Sequence, residues 1–219
     1  MIIKEFSYSK NPKRAIISLH GWTGNVSSMK PVSKSFNFPD TKWIFPQAPY
    51  IVKNNSKNSD KFKNLNTYTW SKDSIRGKYS PKETSVIKSM IILTHCINNL
   101  EKEGFNKKKI FILGFSQGAI FSLWFIINQV FSIGGCISIS GGFDKEKKFL
   151  MKNLKPESKQ TRILLIHGEK DKIISQDESI KTYKIFKSAG FKTTLKLFPT
   201  THKIPLKSKN IIWKFLIEE

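Results

Sequence analysis

A serine between two glycines is the feature of this sequence best suited to covalent chemistry. Residues 114–118 read Gly-Phe-Ser-Gln-Gly, directly after an apolar run and directly before an apolar helical pattern. A serine on a sharp strand-to-helix turn exposes its hydroxyl above the sheet, and only small residues fit two positions before and after it. The start of the following helix also favours negative charge there. The segment predicts that Ser116 is a nucleophile.

A nucleophilic serine needs a base, and the chain has four histidines. In this strand–turn–helix arrangement the partners follow the serine in the order acid, then histidine. His20 and His95 precede Ser116, and His167 ends an apolar run, where we expect it to shape a turn. His202 follows the last predicted strand and is the predicted base.

The carboxylate that orients the base is expected on the loop after the penultimate predicted strand. Residues 167–171 read His-Gly-Glu-Lys-Asp, and Asp171 is the predicted acid. It would fix the imidazole tautomer of His202 and stabilise the imidazolium as it forms. Three carboxylates remain as alternatives: Glu169, Asp177 and Asp144. Asp144 follows an earlier predicted strand and suits a different placement of the acid.

The negative charge that develops during attack needs two backbone donors. One is the N–H of Gln117, the residue after the nucleophile. The other is expected from the loop after the first central strand, residues 19–24, which read Leu-His-Gly-Trp-Thr-Gly. The glycines allow a tight turn there, and the N–H of Trp22 is the predicted second donor.

Strands and helices that could position these residues alternate along the chain. Four apolar runs have the composition of parallel strands covered on both faces: residues 15–19, 110–113, 136–139 and 163–166. Further strands are predicted at 42–45, at 193–198, whose alternating pattern places it nearer an edge, and at 2–8, as an antiparallel edge strand. Helices are predicted at 83–103, 117–129, 176–189 and 209–219. In the helix predicted at 83–103, Ile87 and Ile91 belong to an apolar stripe. The chain is predicted to be one α/β domain over residues 1–219, with a mostly parallel sheet.

The polar segment at residues 52–82 interrupts this alternation. It is rich in Lys, Asn and Ser, and its largest apolar side chain is Trp70. The segment starts at the carboxyl edge of the sheet, where ligands bind in open α/β folds. We therefore expect Trp70 to line the substrate pocket. The alternative is that Trp70 anchors the loop to the core.

The net charge of the chain is +22, from 38 Lys and Arg against 16 Asp and Glu. Arg occurs at only three positions, and Asn and Ile are abundant, a pattern typical of an AT-rich genome. Surfaces that recognise bases or phosphates use more Arg. We therefore expect no specific nucleic-acid partner and only weak attraction to anionic surfaces.

Membrane, metal and secretion signals are weak. Residues 110–143 are uncharged and long enough to span a bilayer, but six glycines and a Ser-Gln pair favour a strand, a buried helix and a second strand. Cys96 and Cys136 form neither a disulfide framework nor a zinc motif, so we expect no metal and two buried thiols. The first ten residues lack a signal-peptide core, which predicts a cytoplasmic protein.

The motifs occur in an order that resembles the phospholipase/carboxylesterase family, which includes acyl-protein thioesterases. The matching segments are 19–24, 45–49 (Phe-Pro-Gln-Ala-Pro), Trp70 with Asp73, 114–118 and 167–171. Two residues separate Trp70 from Asp73 where the family usually has one, and Thr201 stands where many members have glycine. The resemblance runs from about residue 14 to 217. It implies an α/β-hydrolase fold with helices on both faces of the sheet, and ester or thioester hydrolysis without a cofactor.

Together these patterns predict a serine carboxylesterase that acts on small to medium acyl esters through an acyl-enzyme. An acyl-protein thioesterase or lysophospholipase is the first alternative, and a non-catalytic binding protein on a hydrolase scaffold is the second. The expected partner is a small-molecule ester, and the expected assembly is a monomer or homodimer.

Overall fold

A seven-stranded sheet forms the centre of the computed structural model, which describes residues 1–52, 67–72, 83–143, 150–152 and 154–218. The strands are β1 (Ile3–Ser7), β2 (Arg14–Leu19), β3 (Thr41–Pro46), β4 (Tyr50–Ile51), β5 (Tyr68–Thr69), β6 (Ile110–Phe115), β7 (Gly135–Ile139), β8 (Arg162–Gly168) and β9 (Thr193–Phe198). The sheet order is β1-β3-β2-β6-β7-β8-β9, and β4 pairs with β5 separately. Only β1 is antiparallel to its neighbour in the large sheet.

The burial of the strands follows their composition. β6 and β7 lie in the middle of the sheet, and their apolar side chains are buried except that of Phe115, which is half-buried at the end of β6. β9 alternates between half-buried and exposed positions at one edge, and β1 forms the opposite edge. The predicted strands, including the antiparallel edge strand, are confirmed.

Helices cover both faces of the sheet. They are α1 (Lys30–Phe36), α2 (Glu83–Lys102), α3 (Gln117–Ile127), α4 (Gln176–Ser188) and α5 (Lys209–Ile217). Side chains of α2, α3 and α4 share one buried cluster with Ile17 and Ile112, and side chains of α1 and α5 share the other with Ile16 and Phe111. Neighbouring strand residues therefore point into opposite layers, which confirms the predicted α/β-hydrolase class.

The uncharged stretch at 110–143 contains β6, α3 and β7, as predicted. Every side chain of α3 is buried, because this helix packs under the sheet and not against water. Within the described parts of the chain, no helix is both long and apolar enough to cross a bilayer.

Most of the polar segment lies outside the described residues, as do Asp73 and Asp144. The described part, residues 67–72, includes β5 and a bridge from Tyr68 to Gly24 in the loop after β2. This contact brings Trp70 to the carboxyl edge of the sheet. The loops after β2, β6, β8 and β9 meet at the same edge because these strands are parallel.

Candidate active site

Ser116 lies between β6 and α3 in a backbone conformation that side chains rarely adopt. Its φ is 53° and its ψ is −117°. Such a conformation costs about 1–3 kcal/mol and persists where the surroundings enforce it. Here the Ser116 N–H donates to the carbonyl of Ile139 in β7, at 2.9 Å. The strained turn is the predicted geometry of an exposed nucleophile.

Gly114 and Gly118 allow the turn to pack tightly. A Cβ atom on Gly114 would lie 2.4 Å from the carbonyl oxygen of Gly118. A Cβ atom on Gly118 would lie 2.6 Å from the carbonyl oxygen of His20, at the end of β2. No side chain fits at either position without a shift of the backbone, so the two glycines allow the Ser116 turn to pack against the loop after β2.

His202 joins Ser116 to Asp171. Its Nε2 lies 2.9 Å from Ser116 Oγ, and its Nδ1 lies 2.7 Å from Asp171 Oδ2. Because an ionised carboxylate only accepts hydrogen bonds, Nδ1 carries the hydrogen of the neutral ring. Nε2 then presents a lone pair to the Ser116 hydroxyl, which is the arrangement a general base requires.

Asp171 has a fully buried side chain whose other oxygen is also satisfied. Oδ1 accepts hydrogen bonds from the backbone N–H groups of Ile173, at 2.9 Å, and Ile174, at 3.0 Å. Burial opposes ionisation of this carboxyl, but the hydrogen bonds from Ile174, His202 and Ile173 outweigh it and lower the pKa of Asp171 below its usual value. The site therefore holds a buried carboxylate.

The alternative acids lie elsewhere, or outside the described residues in the case of Asp144. Glu169 is exposed. Asp177 is exposed at the start of α4, where its Oδ2 accepts from the Ser175 hydroxyl at 3.1 Å. The described structure brings Asp171 alone of these candidates into contact with His202.

The loop carrying Trp22 lies next to Ser116. A Cβ atom on Gly21 would be 3.4 Å from the Cβ of Ser116. In the part of the chain that the structure describes, the backbone N–H of Trp22 meets no hydrogen-bond acceptor. Gln117 begins α3 next to Ser116, so both predicted donors lie on segments beside Ser116.

The side chain of His20 supports the loop that carries Trp22, a role that the sequence analysis did not predict. Its Nε2 accepts from the N–H of Ala48 at 3.2 Å, and its Nδ1 donates to the carbonyl of Gly21 at 2.8 Å. Burial lowers the pKa of His20 to about 4, against a smaller opposing effect of the Gly21 hydrogen bond. At neutral pH the ring is therefore an uncharged support for the loop.

Trp70 is 0% exposed and lies between this loop and α3. Its indole N–H donates to the carbonyl of His20 at 2.8 Å, and its backbone N–H donates to the side-chain oxygen of Gln117 at 3.1 Å. The ring stacks on Phe121, with centroids 5.4 Å apart and planes 8° apart. Because the Trp70 side chain exposes no surface to solvent, the geometry favours the anchoring alternative.

Trp70→Ala is expected to lower the free energy of unfolding by about 3–5 kcal/mol, the usual cost of emptying a buried tryptophan site. Because the anchor supports the loop carrying Trp22, kcat/KM should fall by a similar factor for esters of every chain length. Thermal unfolding and a p-nitrophenyl ester series measure the two effects.

Trp70→Phe is the matched variant. It keeps an aromatic ring at the site but removes the hydrogen bond to the buried His20 carbonyl, so it should cost less than Trp70→Ala, about 1–3 kcal/mol of stability. A stable Trp70→Ala protein with a selective loss on long esters would instead establish the pocket role.

The two cysteines are both buried free thiols. Burial raises the pKa of each thiol to about 12, and in Cys136 a hydrogen bond with Ser122 opposes the rise. This confirms the prediction of two buried thiols. Among the described residues, no three His, Cys, Asp or Glu side chains are grouped to bind a metal ion.

Known proteins include relatives of this chain in both sequence and fold. Residues 6–218 match the family model described as Phospholipase/Carboxylesterase. The chain is 31% identical to acyl-protein thioesterase 1 homolog 1 of Dictyostelium discoideum over 173 residues, which cover 78% of this chain and 71% of that protein. It is 25% identical to carboxylesterase SOBER1 of Arabidopsis thaliana over 190 residues, covering 84% of this chain and 80% of the relative. The crystal structure of SOBER1 superposes with a TM-score of 0.79 at 24% identity, covering 93% of this chain and 97% of that one.

Proposed function

This chain belongs to the phospholipase/carboxylesterase family of serine hydrolases, and we propose that it hydrolyses small to medium acyl carboxylic esters through Ser116, His202 and Asp171. The observation that carries the proposal is the continuous hydrogen-bonded chain from Ser116 Oγ through His202 to Asp171, with distances of 2.9 and 2.7 Å. The contacts support the proposal because they follow the order that a nucleophile, a base and an orienting carboxylate require.

The proposed reaction has two stages. His202 Nε2 accepts the Ser116 proton as Oγ attacks the ester carbonyl, and the imidazolium then gives that proton to the leaving alcohol. This forms an acyl-enzyme on Ser116. Water, deprotonated by His202, attacks the acyl carbon and releases the carboxylic acid while the proton returns to Ser116. Asp171 stabilises the imidazolium in both stages.

The proposed oxyanion donors are the backbone N–H groups of Gln117 and Trp22. Gln117 is fixed because it starts α3 and because its side chain bonds Trp70 and Thr69, at 3.1 and 2.7 Å. The Trp22 segment is fixed by the buried contacts of His20. Donors held in place before the substrate arrives stabilise developing charge without further reorganisation, and each is worth about 3–4 kcal/mol in such sites.

Thioester hydrolysis is the second candidate, favoured by the 31% identity to a relative named as an acyl-protein thioesterase homologue. Both reactions use the same acyl-enzyme, and they differ only in the leaving group. A binding protein without activity is disfavoured because a strained Ser116 turn has a cost that a scaffold without catalysis does not need.

A series of p-nitrophenyl esters from acetyl to palmitoyl, assayed beside a palmitoyl thioester, tests the proposed substrate class. We expect kcat/KM for the acetyl to octanoyl esters to exceed that for the palmitoyl ester by at least about tenfold, a difference of ~1.4 kcal/mol in transition-state binding. A preference of the same size for the palmitoyl thioester would replace the esterase proposal with the thioesterase one.

A further inference from the structure

Phe115 is the residue of the Gly-Phe-Ser-Gln-Gly segment whose identity the sequence left without a role. It ends β6 directly before Ser116 and is half-buried. Its ring packs against the imidazole of His202, with centroids 5.1 Å apart and planes at 44°. A Cβ atom on Gly21 would lie 3.4 Å from Phe115 Cδ1, so the loop that carries Trp22 also passes close to this ring. Phe115 therefore contacts the proposed base and adjoins the loop of a proposed oxyanion donor.

Phe115 is better anchored than the histidine it contacts. Its backbone pairs with Ile139 of β7, and its side chain packs against the buried cluster shared by α1 and α5. Side chains in close-packed interiors have little room to change position. His202 lies on the loop after β9, and loops are more mobile than the strands they connect. The phenylalanine ring thus offers the imidazole a fixed surface.

The hydrogen bonds of His202 change during the proposed reaction, which gives this surface a purpose. In the free enzyme Nδ1 bonds Asp171 Oδ2 at 2.7 Å and Nε2 bonds Ser116 Oγ at 2.9 Å. Once the acyl group is on Ser116, Oγ carries no hydrogen, and Nε2 of the neutral ring carries none either. That contact is then no longer a hydrogen bond. Of these two bonds, only the one to Asp171 continues to hold the imidazole.

We propose that Phe115 is a positioning residue that keeps His202 Nε2 directed at the attacking water while the acyl-enzyme on Ser116 is hydrolysed. The inference rests on the proposed function. Phe115 exchanges no proton and forms no covalent bond. Its ring limits how far the imidazole can turn about its bond to Asp171, and such alignment of reacting groups contributes directly to rate. Loss of the ring should therefore slow deacylation more than acylation, in which the Ser116 hydroxyl still holds Nε2.

p-Nitrophenyl dimethylcarbamate separates the two stages, because the amide-like carbamoyl group on the serine reacts slowly with water. Release of p-nitrophenol measures the attack by Ser116. Recovery of esterase activity, after excess reagent is removed, measures the attack by water. For Phe115→Leu we expect recovery to slow by roughly tenfold, the size of effect of one aromatic contact, while p-nitrophenol release stays within about threefold of the parent.

Phe6→Leu is the matched control. Phe6 is also a half-buried strand residue packed against the α1–α5 cluster, and its ring contacts Tyr8 with centroids 4.5 Å apart. This variant should leave both stages unchanged. Phe115→Tyr keeps the ring, so its recovery should stay within about threefold of the parent. Phe115→Met, which also lacks a ring, takes the place of Phe115→Leu if the leucine variant does not fold.

Equal slowing of both stages, or recovery at the parental rate in a folded variant without the ring, would contradict the proposal and leave Phe115 as a packing residue only. The parent protein tests the hydrolase function separately. If it released no p-nitrophenol, or carried the carbamoyl group on a residue other than Ser116, the proposed function would fail, and the role of Phe115 with it, before any variant was compared.

Discussion

Replacing Ser116 with alanine is expected to lower kcat by on the order of 10⁶-fold, the loss found when a triad nucleophile is removed. The reason is geometric: in the described structure the Ser116 hydroxyl is the one that contacts His202 Nε2, at 2.9 Å. A fluorophosphonate should add one label to the parent protein at Ser116 and none to the variant. Mass spectrometry of the intact protein and its peptides measures both results.

Ser188→Ala serves as the control, because Ser188 is exposed at the end of α4 and its hydroxyl donates to the local carbonyl of Ile185. It should keep full labelling and turnover. A label on any serine other than Ser116, or turnover by Ser116→Ala within a hundredfold of the parent, would refute the assignment of the nucleophile.

Asp171→Asn should lower kcat by about 10⁴-fold, as loss of the triad carboxylate does elsewhere. The contacts of Asp171 determine how the amide orients. Two backbone N–H groups, of Ile173 and Ile174, point at the Oδ1 position and require an acceptor there. The amide oxygen must take that position, which places the NH₂ group against His202 Nδ1. The ring is then forced to carry its hydrogen on Nε2, where it cannot accept the Ser116 proton.

The matched control is Asp177→Asn, which makes the same chemical change at an exposed carboxylate at the start of α4. It should remain within about twofold of the parent in kcat, because surface changes of this kind leave the site intact. Activity of Asp171→Asn near that of the parent would return the acid role to the alternatives, including Asp144.

Features that depend on short local patterns were predictable from the sequence. The apolar runs predicted where the strands occur along the chain and that most of them are parallel. The alternation at 193–198 predicted that β9 lies near an edge. The chain order of serine, acid and histidine was enough to select residues that the structure brings within hydrogen-bond distance. Each of these signals lies within a few residues of the feature it predicts.

Features that depend on distant partners were not predictable. His20 and His167 lie in motifs that were recognised for the roles of other residues, and their own hydrogen bonds depend on Ala48 and Ser179, which the fold brings to them. The helix α1 was missed because its seven residues contain only a short apolar pattern, and it is bounded by a left-handed Asn37, with φ of 41°.

The apolar stripe predicted for α2 was too broad. Leu93 and Ile97 are fully buried, but Ile87 is 49% exposed and Ile91 is 62% exposed. Isoleucine is abundant in this chain and therefore also occupies solvent-facing positions. The spacing of isoleucines along a helix alone thus overestimates the width of its buried face.

The lysine-rich composition has a consequence at the two edges of the sheet. The outer backbone groups of an edge strand can pair with a strand from another molecule, which is a common route to aggregation. β1 carries exposed Lys4 and Glu5, and β9 carries exposed Lys196, whereas β6 and β7 in the middle carry no charge. A second copy of β9 docking on this edge would bring like charges together. The excess of lysine thus contributes to the colloidal stability of the protein, without requiring any ligand for the +22 charge.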